Sequence, residues 1–191
     1  MISEKKISKT ELITNIPAYS KKLRSCLFIA PTDTIYGLSC NATNDELVKK
    51  LRLVKMTNQP LSIIAPSKDW ILRNCVINET SQSWLNKLPG PYTLILELKN
   101  NSVVSKYVIN KEQNSLGVRM PDHWFGDIVR KLRVPIVTTS ANVSGRNFMT
   151  SLDNLDQEIK DSVDLIISVG LKKGRPSTLI HLVDKEKIIK R

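Results

Sequence analysis

Apolar residues recur along this chain in short runs broken by polar turns. Their spacing predicts interleaved strands and helices. Cys26-Leu27-Phe28-Ile29-Ala30 is continuously apolar, the pattern of a buried strand. The same reasoning predicts strands over 36–39, 61–65, 92–98, 116–120, 134–138, 165–169, 178–183 and 188–190. Leu47, Val48, Leu51 and Val54 share one helical face, so a helix should run from an Asn44 cap to Lys55. Further helices are predicted over 9–23, after Ser67, over 81–88, from an Asp122 cap to Leu132, and from about Leu152. Pro89-Gly90-Pro91 should stop the helix before it. The two kinds of element interleave without strict alternation. That predicts an α+β fold, a twisted mixed β-sheet flanked by helices on both faces.

Two strand ends break the apolar pattern in the same way. The run ending at Ala30 meets Pro31-Thr32-Asp33-Thr34-Ile35-Tyr36-Gly37-Leu38, and the run at 135–137 meets Thr138-Thr139-Ser140-Ala141-Asn142-Val143-Ser144-Gly145. Polar groups crowded at the end of a buried strand cost desolvation unless something hydrogen-bonds them. Ordinary turn punctuation explains one such end. Two in one domain point to a polar crevice, because ligand sites collect at strand termini and loops. Thr32 is read as facing away from Thr34.

A chain of 191 residues suits one domain with a full core. Its 41% apolar and 25% charged residues are ordinary for a soluble globular protein. No run reaches the length of a membrane span, and the first residues lack the apolar stretch of a secretory signal. Cys26, Cys40 and Cys75 are too scattered for a disulfide framework, which fits a reducing cytoplasm, and Cys26 reads as a packing residue. The formal net charge of +11 favours polyanions: a nucleoside triphosphate, RNA, or both. Aromatic residues, at 5%, are too few for a stacking platform on single strands.

The order of the motifs resembles the threonylcarbamoyl-AMP synthases, the YrdC-like domain in its short form. The matching segments are 31–38, Asn41-Ala42-Thr43-Asn44, Pro60-Leu61-Ser62, Leu88-Pro89-Gly90-Pro91-Tyr92-Thr93, Leu116-Gly117-Val118-Arg119-Met120-Pro121-Asp122, 140–145 and Gly174-Arg175-Pro176-Ser177-Thr178. They cover nearly the whole chain and imply a single domain over residues 9–191.

The resemblance implies a reaction in which L-threonine, bicarbonate and ATP give threonylcarbamoyl-adenylate and pyrophosphate. A tRNA-modifying threonylcarbamoyl transferase system would then consume the product. The nucleophile belongs to the substrate, so catalysis should rest on positioning and charge neutralisation. By resemblance, Lys55, Ser140 and Asn142 serve catalysis and hold ATP together with Gln59 and Arg191. Thr34, Arg119, Thr138 and Ser177 form the threonine pocket, with the Arg119 fork on the carboxylate. Mg2+ would arrive with ATP, held by phosphates and water. Asp33 and Asp122 are the candidates near it, and no structural metal site is expected from the Cys and His spacing. One position departs from the family's Lys-x-Arg pair: Thr57 stands where the arginine is expected, and Lys50-Leu51-Arg52 spells the pair at the wrong spacing. The alternative reading is a catalytically degenerate YrdC-like domain that binds tRNA or double-stranded RNA through its charge. A carbamoyl-phosphate-using relative should carry cysteine pairs that this sequence lacks.

Overall fold

The computed structural model describes residues 5–190. Its strands are β1 (Lys6–Ser8), β2 (Phe28–Pro31), β3 (Tyr36–Asn41), β4 (Ser62–Ile64), β5 (Tyr92–Glu97), β6 (Ser115–Arg119), β7 (Ile136–Ser140), β8 (Leu165–Ser168), β9 (Thr178–His181) and β10 (Lys187–Ile189). Its α-helices are α1 (Lys9–Thr14), α2 (Ile16–Ser25), α3 (Asp45–Lys55), α4 (Lys68–Asn74), α5 (Glu79–Asn86), α6 (Trp124–Leu132) and α7 (Gln157–Ser162). All ten strands join one sheet in the order β1-β8-β2-β3-β7-β4-β6-β5-β9-β10. Parallel and antiparallel pairs mix: β4 and β6 run parallel, whereas β7 is antiparallel to both β3 and β4.

Helices α1, α3, α4, α5 and α6 each begin where a polar side chain replaces a missing backbone partner. Asn44 accepts from the Leu47 N–H at 3.0 Å to start α3. Asn78 and Ser81 form a reciprocal capping box at α5. The expected helix over 9–23 is two helices broken at Asn15, because Pro17 has no N–H to carry the ladder on and sits instead in the first turn of α2. Asp122 does not cap α6. His123 does, its Nδ1 accepting from the Phe125 N–H at 3.3 Å. The segment after Ser151 is a short 3-10 turn at Leu152–Asn154, and α7 starts only at Gln157.

Helices cover the sheet's two faces unequally, and this asymmetry places the site. One face carries Leu38, Ile63, Leu94, Val118, Val137 and Ile180, packed with Val48 and Leu51 of α3, Ile71 of α4, Leu85 of α5 and Ile159 of α7. The other face carries Phe28, Ala30, Ile64, Ile136 and Leu165, under Leu12 of α1, Tyr19 and Leu23 of α2, and Phe125, Ile128 and Val129 of α6. That second helical layer covers only part of its face. Along one row of register partners the residues are Phe28, Ser39, Thr138, Ser62, Gly117, Ile95, His181 and Lys187. Directly paired residues project to the same face. The row therefore begins in the second core and ends at exposed Lys187, and its middle is made of small and polar residues.

Candidate active site

Two adjoining hollows lie on that small and polar stretch. The first, of about 160 Å³, is walled by Thr34 and Gly37 from the 31–38 segment, Thr138 and Ser140 of β7, Arg119 of β6 and Ser177 before β9. This is below the roughly 300–1,000 Å³ of drug-sized clefts and suits a small polar molecule. The second, of about 340 Å³, shares Pro60 and Ser62 with the first and continues over Gly117, Ile95, Leu179 and His181. Ser115 lines it, and the buried Ser115 Oγ has no hydrogen-bond partner among the described residues. A buried hydroxyl without a partner is costly, and a ligand polar atom would satisfy it.

Arg119 is 6% exposed at the end of β6. Its Nη2 donates to Asp33 Oδ1 and, at 3.3 Å, to Thr34 Oγ1. The second Asp33 oxygen accepts from the Asp122 N–H at 3.3 Å. Asp33 thus grips the guanidinium from outside the hollow that Arg119 lines. Burial raises the Asp33 carboxyl above the usual carboxylate range, with Arg119 and the Asp122 N–H opposing it. Thr34 and Thr32 are not on opposite sides. Both line the hollow with their hydroxyls 3.0 Å apart, because the chain bends between β2 and β3 and a turn closes from Thr32 to Ile35.

Lys55 closes α3 and is 6% exposed. Its ammonium donates to the Ser140 carbonyl at 2.8 Å and hydroxyl at 2.9 Å, and to the Asn142 carbonyl at 2.8 Å and Oδ1 at 2.5 Å. The Asn142 amide nitrogen donates to the carbonyls of Val143 and Arg146. Lys55, Ser140 and Asn142 are therefore brought together as one knot, of which only Ser140 lines the first hollow. The ammonium is engaged by protein oxygens, and burial lowers its pKa to about 8 against a smaller opposing pull from Asp156. An anion beside Ser140 would draw it back toward the charged form.

A strap from β8 to β9 closes the remaining side. The Tyr36 hydroxyl donates to the Gly170 carbonyl at 2.7 Å and accepts from the Val169 N–H at 2.9 Å. A Cβ at Gly174 would sit 1.8 Å from the Thr34 carbonyl oxygen, so only glycine lets the strap approach that turn. Ser177 ends the strap, its hydroxyl 2.7 Å from that of Thr93. Gly37 makes similar room, since a Cβ there would lie 2.2 Å from Thr138 Oγ1.

Of the residues singled out from sequence, Thr34, Arg119, Thr138, Ser140 and Ser177 share the first hollow. Gln59 is exposed and borders the second. Arg191 lies outside the described residues. The reading missed Ser62, Thr93, Ser115 and Gly117. A signal for the last two was present, because Ser115, Gly117 and Arg119 alternate with Leu116 and Val118 in a strand. Among the described residues no group of three or more His, Cys, Asp or Glu side chains is placed to hold a metal ion. Both Asp33 oxygens are engaged by protein donors. The site therefore offers no ready carboxylate cage for Mg2+. The three cysteines are buried free thiols, and burial pushes Cys26 and Cys75 up to about 12. No helix among the described residues is long and apolar enough to cross a membrane.

A mixed α+β sheet with an uncovered polar stretch, hydroxyl-lined and anchored by one buried arginine, defines a small-molecule site. Comparison with known proteins agrees in class. The family model for Sua5, YciO and YrdC, described as telomere recombination, matches residues 24–191, and the chain belongs to that family. A Methanocaldococcus jannaschii protein with the provisional name threonylcarbamoyl-AMP synthase is 38% identical over 174 residues, 87% of this chain and 79% of that protein. The structure of a doubly substituted P. abyssi Sua5 superposes with a TM-score of 0.82 at 29% identity, covering 94% of this chain. P. abyssi Sua5 complexed with L-threonine superposes with a TM-score of 0.78 at 26% identity over the same 94%. This chain spans 54% of each Sua5 chain, about half its length.

Proposed function

We propose that this protein is an L-threonylcarbamoyladenylate synthase, acting in the cytoplasm ahead of a tRNA-modifying transferase. The observation that carries the reading is the pair of hollows meeting at Pro60 and Ser62, one sized for an amino acid and anchored by Arg119. Threonine enters the first, its carboxylate facing the Arg119 fork and its polar atoms facing the hydroxyls of Thr34, Thr138 and Ser177. ATP lies across the second, where Ser115 supplies an unpartnered hydroxyl.

Threonine amine and bicarbonate condense to a carbamate with loss of water. A carbamate oxygen then forms a bond to the α-phosphorus as the bond to pyrophosphate breaks. The residues bind and align rather than exchange protons. Asp33 fixes Arg119. The Lys55 knot holds Ser140 in the wall of the first hollow and keeps positive charge near developing phosphate charge. A Mg2+ ion accompanying ATP would neutralise phosphate charge and be held by phosphate oxygens and water.

The test is pyrophosphate release from purified protein, with each substrate omitted in turn. The reading requires release that depends on ATP, threonine and bicarbonate together. RNA binding without ATP binding or turnover would favour the degenerate, RNA-binding alternative, with affinity falling steeply in salt.

A further inference from the structure

The segment between α3 and β4 walls both hollows, and one side chain shapes it. Met56 ends α3 in the left-handed region at φ 54°, and the chain then turns through Thr57, Asn58 and Gln59 to Pro60. Arg52 reaches this turn from inside the helix. Its Nη1 donates to the Thr57 carbonyl at 3.1 Å and to the Gln59 carbonyl at 3.0 Å, and its Nε donates to the Tyr107 carbonyl at 2.7 Å. Its own carbonyl accepts from the Thr57 N–H at 3.2 Å. The Thr57 side chain acts within the turn, its hydroxyl accepting from the Gln59 N–H at 3.2 Å. One guanidinium thus ties the turn at both ends and pins it to the 105–110 segment.

We propose that Arg52 is a positioning residue for the nucleotide. It sets where Gln59 and Pro60 stand, and thereby the shape of the second hollow. This rests on the reading that ATP occupies that hollow. Position 57 carries no guanidinium, and Arg52, five residues earlier, organises the same turn from beneath through its backbone. A planar fork suits several carbonyls at fixed angles, and an ammonium serves them less well.

Two measurements on Arg52→Ala and Arg52→Lys test this. Amide hydrogen exchange over 57–59, without nucleotide, should quicken in Arg52→Ala and to a lesser extent in Arg52→Lys. In turnover assays the KM for ATP should rise about tenfold in Arg52→Ala, the scale of losing a charged hydrogen bond. The kcat and the KM for threonine should stay within about twofold, and Arg52→Lys should fall between, since it keeps the charge without the fork. Unchanged exchange at 57–59 overturns the proposal, as does a threonine KM that rises as far as that for ATP. If Arg52→Ala does not fold, Arg52→Lys carries both comparisons. A wild-type protein that releases no pyrophosphate refutes the proposed function instead, and the exchange data then judge the clamp alone.

Discussion

Replacing Lys55 with Met removes an ammonium and keeps an unbranched chain of similar length. Four oxygens of the Ser140–Asn142 turn then lose their shared donor: two carbonyls, the Ser140 hydroxyl and Asn142 Oδ1. Charged hydrogen bonds contribute roughly 1.5–3 kcal/mol each, and an ammonium has three protons to give. Against that stands the cost of burying the ammonium, which the fall of its pKa to about 8 records. The net loss of folding stability is about 2–4 kcal/mol. For a domain of this size that lowers the melting temperature by about 5–15 °C. Because Ser140 lines the first hollow, the same loosening should reduce turnover by about 10²–10³-fold, the scale of losing one preorganised donor. Thermal melting and pyrophosphate release on the same preparation decide the matter. Melting and turnover both at wild-type values would refute the reasoning. Lost turnover with unchanged melting would mean that the ammonium acts on substrate directly and not through the loop.

Gly174→Ala puts a methyl 1.8 Å from the Thr34 carbonyl oxygen, so the strap must lift; threonine affinity should fall at least tenfold with ATP affinity less affected, as binding titrations would show. Arg119→Lys keeps a charge for Asp33 but loses the planar fork, and the KM for threonine should rise about tenfold in steady-state assays. Arg119→Ala strands a buried carboxylate and should cost about 3–5 kcal/mol in denaturant unfolding. His123 supplies a pH prediction. Burial, then Lys172, Lys9 and Arg119, lower its pKa to about 4, below the unfolded value of 6.5. Between those values the unfolded chain binds more protons, so stability is whole above about pH 6.5 and falls as pH drops toward 4. Protonation also removes the Nδ1 cap of α6. With screening at this half-exposed ring the loss is about 1–2 kcal/mol. His123→Asn keeps a capping acceptor without the titration, and its unfolding free energy should be flatter between pH 6.5 and 4.

Most of the strands could be read from sequence because their apolar runs are local facts. Phe28–Pro31 is buried throughout and Ile136–Ser140 over its first three residues, and the polar ends stand out against those runs. β1 escaped because Lys6–Ser8 has one buried residue and draws its support from β8, far along the chain. The helix break at Asn15 was signalled by Pro17 but masked by the apolar spacing around it. The first hollow was legible as two polar strand ends. The second hollow was not, because Ser62, Ser115 and Gly117 become neighbours only through the order β4-β6-β5. The same holds for Asp33 behind Arg119, which are 86 positions apart. Lys55 was singled out through the family resemblance, but the four oxygens it engages could be known only once β7 lay beside α3.

The most direct test of the account supplies 13C-bicarbonate with ATP and threonine and weighs the product by mass spectrometry. Should the two hollows hold threonine and ATP side by side, a species joining the threonine carbamate to AMP appears one mass unit heavier than with ordinary bicarbonate. Cleavage of ATP that leaves no labelled carbon joined to both threonine and AMP would contradict it.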